Sequence, residues 1–356
     1  MIVVNSRFLT KEMAGIVRYA SEITPHIKNL CKETIFVSHK GIIQNDLSNT
    51  LGAIEVGKLK GYLWEQLELP LFLKRIGNPI LLNLCNTGPC FYKDQITVIH
   101  DVAFIKDPSW YTRKAALAFK VIISRAAKVS KRIITLSEFT KREVMQYLKI
   151  PSEKIEVVPG AVPQIIVSLS KKEYENNFGK YILTVSTLQP RKNISSLIKA
   201  FNLLSENNLK LVIAGSGNER VFPDPYINHN NPNIILTGYI NDMELTALYK
   251  NAALFVYPSY YEGFGFPPLE AMTCGCPVLV SNNSSLPEIC GDHVYYFNPA
   301  DNNNLVEELK KLLNGVNNLN RSEYKLNGNG HSWEKSAESI LDLIKKRNLI
   351  DVSSYA

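Results

Sequence analysis

Two carboxylates, Glu262 and Glu270, bracket the run Gly263-Phe264-Gly265-Phe266-Pro267-Pro268-Leu269, and this spacing constrains chemistry more than any other stretch of the chain. Proline suits the first turn of a helix, because its ring fixes φ and its missing N–H would have no partner there. The expected helix runs from Pro268 to Thr273 and is ended by Gly275, with Glu270 near its start and Glu262 in the loop before it. Backbone amides at a helix start, helped by the macrodipole, attract phosphate. Carboxylates on either side accept hydrogen bonds from sugar or ribose hydroxyls. The combination suits a nucleoside diphosphate sugar. A carboxylate that faces a bound sugar adds little to a core, so loss of Glu262 is expected to cost little stability.

Arg191 and Lys192 follow the apolar run Tyr181–Val185 and the loop Ser186–Pro190, and they open a helix. Adjacent cations in such a loop neutralise a diphosphate, arginine as a planar fork and lysine as a point charge. His100 ends the run Ile96–Ile99, and at the end of a parallel strand it points into a ligand crevice. Gly215-Ser216-Gly217 follows Lys210–Ala214 and serves either a nucleotide or an ordinary turn. Ser137 reads as the N-cap of a helix with Thr140 and Lys141 in its first turn, and an acceptor-phosphate contact is the alternative. No Asp-x-Asp occurs in the chain, so the usual ligands of a metal-bridged diphosphate are missing. No metal and no cofactor is expected.

These residues need strand ends to hold them. Apolar runs alternate with amphipathic stretches along the whole chain, the pattern of parallel α/β domains. Strands are expected at Ile2–Val4, Thr34–Ser38, Ile80–Leu84, Ile96–His100, Arg132–Leu136 and Lys154–Val158, with helices at Ile16–Leu30 and Trp64–Arg75. After Pro159-Gly160 and Pro163 the pattern restarts, with helices at Ile194–Glu206 and Asp242–Asn251 among strands beginning at Tyr181, Lys210, Asn233, Leu254 and Pro277. At 356 residues, two domains are the natural reading: 1–164 and 165–334, with a helix near 335–350 packing back on the first. No apolar run reaches the roughly 18 residues of a membrane helix. The first residues read as a buried strand rather than a signal peptide. The six cysteines form no Cys-x-x-Cys pair, which favours free thiols in a cytoplasmic protein.

The net charge of +7 is uneven: residues 1–164 carry 23 Lys+Arg against 14 Asp+Glu, and the remainder 17 against 19. Arg113, Lys114, Lys120, Arg125, Lys128, Lys131 and Arg132 have no acid between Asp107 and Glu138, and Leu117, Phe119, Val121, Ile122 and Ile123 lie among them. Such a stretch sits on an anionic membrane surface or forms a solvated helix face. Nothing accompanies it that would stack nucleic-acid bases.

Ala253–Ser281, with Tyr257-Pro258-Ser259 before the glutamates and Gly275-Cys276-Pro277-Val278 after them, resembles the donor-site signature of the family 4 retaining glycosyltransferases. Gln189-Pro190-Arg191-Lys192-Asn193 resembles the same family independently. The resemblance implies the GT-B fold, two Rossmann-like parallel-sheet domains facing a central cleft. It implies that Arg191 and Lys192 hold the donor diphosphate, that Glu262 orients the sugar and Glu270 the ribose, and that His100 lies beside the reacting sugar. Gly15, Gly215, Ser216, Tyr239, Ile240, Gly263, Phe264, Gly265 and Phe266 would line the donor. The family's usual glycine pair reads Ala14-Gly15 here, so Gly15 alone would supply the freedom of φ that close backbone approach needs. The stretch Leu63-Trp64-Glu65-Gln66, with His100-Asp101, looks most like bacterial mannosyltransferases of surface-polysaccharide (O-antigen type) assembly. The implied reaction is metal-independent transfer with retention, from GDP-mannose or a related GDP-sugar, to an oligosaccharide or lipid-linked acceptor. UDP- or dTDP-sugar donors, a sugar-nucleotide epimerase and a non-catalytic membrane- or polymer-binding scaffold are the competing readings.

Overall fold

A computed structural model describes residues 1–204, 206, 208–215, 231–315 and 331–353, with 346–353 given by backbone alone. The chain divides into two compact units, Met1–Ala161 with His331–Ala356, and Val162–Gly330. The first break thus falls between 161 and 162 rather than after 164, because residues 164–169 form a short helix packed on the Asp242–Asn251 helix of the second unit.

The first unit holds β1 (Ile2–Asn5), β2 (Ile35–Ser38), β3 (Ile54–Glu55), β4 (Ile80–Asn83), β5 (Gln95–Ile99), β6 (Arg132–Thr135) and β7 (Ile155–Val157). They form one parallel sheet in the order β3-β2-β1-β4-β5-β6-β7. The second holds β8 (Lys180–Val185), β9 (Leu209–Ala214), β10 (Ile234–Gly238), β11 (Leu254–Tyr257), β12 (Val278–Ser281) and β13 (Tyr295–Phe297). These are also parallel, in the order β10-β9-β8-β11-β12-β13. Central strands are buried along their whole length, as sheets covered on both faces require. Two departures from the sequence reading have simple causes. β3 is two exposed residues at a sheet edge, too short for any periodicity to show. The helix expected to reach Glu206 stops at Asn202, where Leu203 and Leu204 turn back on the carbonyls of Ala200 and Phe201.

In both sheets the winding runs outward from the first strand, returns, and continues on the other side. The reversal lies between β1 and β4 in one unit and between β8 and β11 in the other. Beyond the C-terminal ends of such a strand pair the connecting segments diverge and leave a crevice, where doubly wound folds bind ligands.

The C-terminal helix, Trp333–Ser353, packs on the Gly15–Leu30 helix of the first unit. Trp333, Ala337, Ile340, Leu341 and Ile344 form its buried stripe, the Trp333 ring stands 5.5 Å from that of Tyr19, and Ser336 Oγ donates to the Pro159 carbonyl. A large-to-small change in such a contact costs about 3–5 kcal/mol. Trp333→Ala should therefore shift the urea unfolding of the first unit to lower denaturant by that amount. An unshifted transition would mean that the helix is not part of this core.

Candidate active site at the reversal of the second sheet

The loops that follow β8 and β11 meet at the reversal. The Tyr260 amide donates to the Arg191 carbonyl at 2.8 Å, and Asn193 Nδ2 donates to the Pro258 carbonyl at 3.1 Å. Asn193 adopts φ +56°, a left-handed turn that asparagine tolerates, between the short Pro190–Lys192 helical turn and the helix beginning at Ile194. This geometry turns both cations toward Glu262. Lys192 Nζ donates to Glu262 Oε1 at 2.6 Å and to the Tyr257 hydroxyl at 2.8 Å. Arg191 Nη1 lies 3.5 Å from Glu262 Oε2 and donates to the Tyr261 carbonyl at 3.1 Å.

Glu262 is only 6% exposed. Burial by itself would raise its pKa, but Lys192 and then Arg191 outweigh that and hold it below the ordinary carboxylate value. Its backbone is pinned too: its N–H donates to Ser284 Oγ, and Ser285 Oγ donates to the carbonyls of Glu262 and Phe264. Gly265 has φ +109°, a backbone conformation that favours glycine, and a Cβ there would come within 2.8 Å of Leu286 Cδ2 and push that side chain aside. Gly263 is buried with it, and the Phe264 and Phe266 rings pack at 4.8 Å, closing the turn.

The helix that follows is Phe266–Thr273, starting two residues earlier than expected. Pro267 and Pro268 then fill its second and third positions, and neither carries an N–H. The helix start therefore has fewer free amides than the sequence reading assumed. Gly275, φ +72°, ends the helix as expected, with Gly275 N donating to Met272 O and Cys276 N to Ala271 O. Glu270 sits inside this helix, buried, and accepts from the Tyr249 hydroxyl at 3.0 Å.

Tyr257 and Tyr249 are the residues that sequence reasoning missed. Each places a hydroxyl on one end of the glutamate-bearing segment, Tyr257 through Lys192 and Tyr249 on Glu270 directly. Burial first, and then the nearby carboxylate, raise both phenols well above their ordinary range, so they stay neutral. Phe255 joins them, its ring 5.4 Å from Tyr249 and 6.0 Å from Tyr257. The available signal was a hydroxyl at the end of the apolar run Leu254-Phe255-Val256-Tyr257.

Other expected donor residues fall around the same sheet. Gly215 has φ +130°, and a Cβ would meet the Ser186 carbonyl oxygen at 2.3 Å, so the ends of β8 and β9 can approach only over glycine. Tyr239, exposed, and Ile240, half-buried, follow β10. Ser216 lies outside the described residues.

In the first unit, His100 follows β5. Its Nε2 donates to the Leu84 carbonyl at 2.8 Å, and burial lowers its pKa, leaving a neutral ring with Nδ1 as the acceptor. Two expectations change here. Ala14 has φ −149° and Gly15 is not in the left-handed region, so neither position needs glycine's freedom; a Cβ at Gly15 would meet nothing within 4 Å. Ser137 is fully buried and its Oγ caps the Glu138–Leu148 helix through the Thr140 amide, which explains that serine without an acceptor.

The first sheet's reversal holds a charge pair the sequence did not reveal. Arg7, just after β1, donates from Nε to Glu65 Oε1 at 3.2 Å and from Nη2 to Thr87 Oγ1 at 2.8 Å, with Tyr62 stacked 4.3 Å below its guanidinium. Glu65 reaches it from a wide π-helical turn, Trp64–Glu68. Among the described residues no group of three or more His, Cys, Asp or Glu is placed to hold a metal.

The burial of Glu262 overturns the expectation that it adds little to stability. Removing one partner of a buried ion pair costs about 3–5 kcal/mol, because the other charge is left uncompensated. Its lowered pKa makes the contribution complete above the ordinary carboxylate value and lost as pH falls through the folded-state value. Glu262→Gln should therefore be less stable than the parent at pH 7, with the gap closing as pH drops below about 4. A gap that stays constant with pH would show that the pair does not stabilise the fold.

Comparison with known proteins gives this geometry a family. Residues 168–328 match the sequence profile described as "Glycosyl transferases group 1". An O-antigen chain mannosyltransferase B of Escherichia coli is 32% identical over 241 residues, which are 60% of this chain and 61% of that relative's own length, so less than two thirds of the relative is spanned. An O-antigen chain mannosyltransferase of Salmonella typhimurium, RfbU, is 26% identical over 76% of this chain and 75% of its own. Among solved structures, sucrose-phosphate synthase from Thermosynechococcus elongatus superposes with TM-score 0.71 at 16% identity, covering 98% of this chain and 99% of that one, which shows the fold. Two doubly wound parallel sheets of this kind are the GT-B fold, and over residues 168–328 the chain carries a domain of the group 1 glycosyltransferases.

Proposed function

We propose that the chain is a metal-independent glycosyltransferase that retains anomeric configuration, moving mannose or a related sugar from a GDP-sugar to a growing bacterial surface oligosaccharide. The observation that carries this reading is the convergence of Arg191, Lys192 and Glu262 at the reversal of the second sheet, all three held by bonds to one another and to the protein around them. Breaking a sugar–diphosphate bond leaves negative charge on the departing nucleotide. Fixed cations stabilise that charge without having to reorganise, which is where catalysis of this kind gains most. Glu262, its charge held by the same cations, presents carboxylate oxygens to sugar hydroxyls, and Glu270, steadied by Tyr249, does so for the ribose. Backbone around Tyr239 and Ile240 faces the base. In the first unit, the neutral His100 offers Nδ1 to a substrate hydroxyl.

Retention follows from attack on the face the nucleotide leaves, with the departing phosphate taking the acceptor proton, so no separate nucleophile is assigned. The absence of Asp-x-Asp from the sequence supports a mechanism in which the two cations take the place of a bridging metal. The relatives' mannosyltransferase names favour mannose as the sugar. No helix among the described residues is long and apolar enough to cross a membrane. A lipid-linked acceptor would then be reached by peripheral attachment at the cytoplasmic face.

Thermal unfolding with GDP, UDP and dTDP tests the donor. A ligand at 100 times its dissociation constant adds about 2.7 kcal/mol to native stability. GDP should stabilise the second unit most, and no shift with any of the three would remove the donor site. In sugar transfer from GDP-mannose, Arg191→Ala should lower turnover about 100-fold or more, the scale of losing one preorganised charge partner. A change confined to acceptor KM would place the diphosphate elsewhere. Transfer should also persist at full rate in EDTA; strict dependence on magnesium or manganese would exclude the metal-free route.

A further inference from the structure

We infer that the first unit docks on an anionic lipid bilayer through one continuous patch, built from two helical segments and the turn between them. The helix Arg113–Val129 buries Ala116, Ile123, Ala126 and Ala127. Its outward stripe, at spacings of three and four residues, is Lys114, Leu117, Val121, Arg125 and Lys128, all exposed. Leu117 and Val121 are thus not core residues among bases but a surface ridge, at 65% and 58% exposure.

A second ridge lies on the helical segment Gly61–Arg75. Its inner side buries Trp64, Leu69 and Leu73, while Leu63, Leu67 and Leu71 stand outward at four-residue spacing. Between the two segments is the turn carrying Phe91, which is 80% exposed, an unusual placement for so large an apolar ring. Direct contacts join the three. Gln66 donates to the Gly88 carbonyl and accepts from the Cys90 amide, the Tyr62 and Phe119 rings stand 6.4 Å apart, and the Arg125 guanidinium lies 5.3 Å from the Phe91 ring centre.

Charge identifies the occupant. Lys74, Arg75, Lys93, Arg113 and Lys120 add further exposed bases around the apolar ridges. The acids of these segments are withdrawn: Glu65 is buried, Glu68 accepts from the Lys58 and Leu59 amides, and Asp94 pairs with Lys131. A second copy of the chain would bring the same cations face to face, which is repulsive. A bilayer satisfies both features: the apolar side chains enter the headgroup–acyl boundary while long basic side chains reach the lipid phosphates. This deepens the membrane-facing part of the proposed function. Its test uses no sugar donor, so its failure and that of the donor-site reading are read separately.

The test is co-sedimentation of the full chain with vesicles of phosphatidylglycerol and phosphatidylethanolamine, against vesicles of phosphatidylcholine, at low and high salt. The parent protein should sediment with the anionic vesicles and be partly released by salt, which screens the basic contribution and leaves the apolar one. Phe91→Ser with Leu117→Ser should reduce the bound fraction at high salt about tenfold. Lys114→Glu with Arg125→Glu should reduce binding to anionic vesicles about tenfold or more and abolish the preference for them. All these sites are exposed, so melting temperatures should match the parent's. The inference is overturned if the parent stays in the supernatant, if it binds both vesicles equally whatever the salt, or if the variants bind as the parent does. It is equally overturned if the parent is a dimer that Phe91→Ser with Leu117→Ser turns into a monomer, since the patch would then be a self-interface.

Discussion

Glu262 carries its negative charge where water barely reaches it, and two cations from another loop make that tolerable. A buried carboxylate alone would take up a proton, and a buried ammonium alone would lose one. Brought together, with the Tyr257 hydroxyl as a further ligand of Lys192, the cations hold the Glu262 carboxyl below its ordinary pKa despite its burial. The condition is geometric. The loops after β8 and β11 must lie side by side, and only a sheet in which those two strands are neighbours permits it. Strand order, the left-handed turn at Asn193 and the tight turn at Gly265 are consequences of meeting that condition.

The first sheet solves the same problem with other residues. Its reversal lies between β1 and β4, and Arg7, Glu65 and Thr87 occupy the strand ends there, with Asn5 and Asn83 hydrogen-bonded across the pair. The difference is access. The Arg7 and Glu65 side chains are 5% and 1% exposed, against 15% for Arg191. The first pair is enclosed by its own neighbours, while the second leaves a guanidinium partly open to solvent. The two crevices thus differ in the access they give to a cation, although both have the same topology.

The uneven net charge also acquires a location. The excess of bases in residues 1–164 is concentrated on the outer face of one helix and the flanks of a neighbouring one, around apolar side chains that no core has covered. Composition records only that such residues exist. Their periodicity assigns Leu117 and Val121 to one stripe, but whether a stripe faces the core or the solvent depends on where the sheet lies.

Much of the architecture was legible in the chain because parallel strands buried on both faces must be continuous apolar runs, and the reversals of period between them are hard to mistake. Gly275 announced the end of its helix, and Asp242–Asn251 and Leu254–Tyr257 were read to the residue, since capping and burial there are local. The charged residues were legible as types costly to bury: Arg191, Lys192 and Glu262 stand in turns beside strand ends, and Glu270 in the helix that follows. What the sequence could not decide was which charge answers which. The partnership of Glu262 with Lys192 spans 70 residues, that of Arg7 with Glu65 spans 58, and both exist only once strands distant in sequence are adjacent in the sheet. The same holds for the Tyr257 hydroxyl on Lys192, 65 residues apart, whereas Ser137 caps its own helix within three residues and was legible as an N-cap. Local propensity is written residue by residue, whereas the pairing of buried charges is a property of the folded sheet alone.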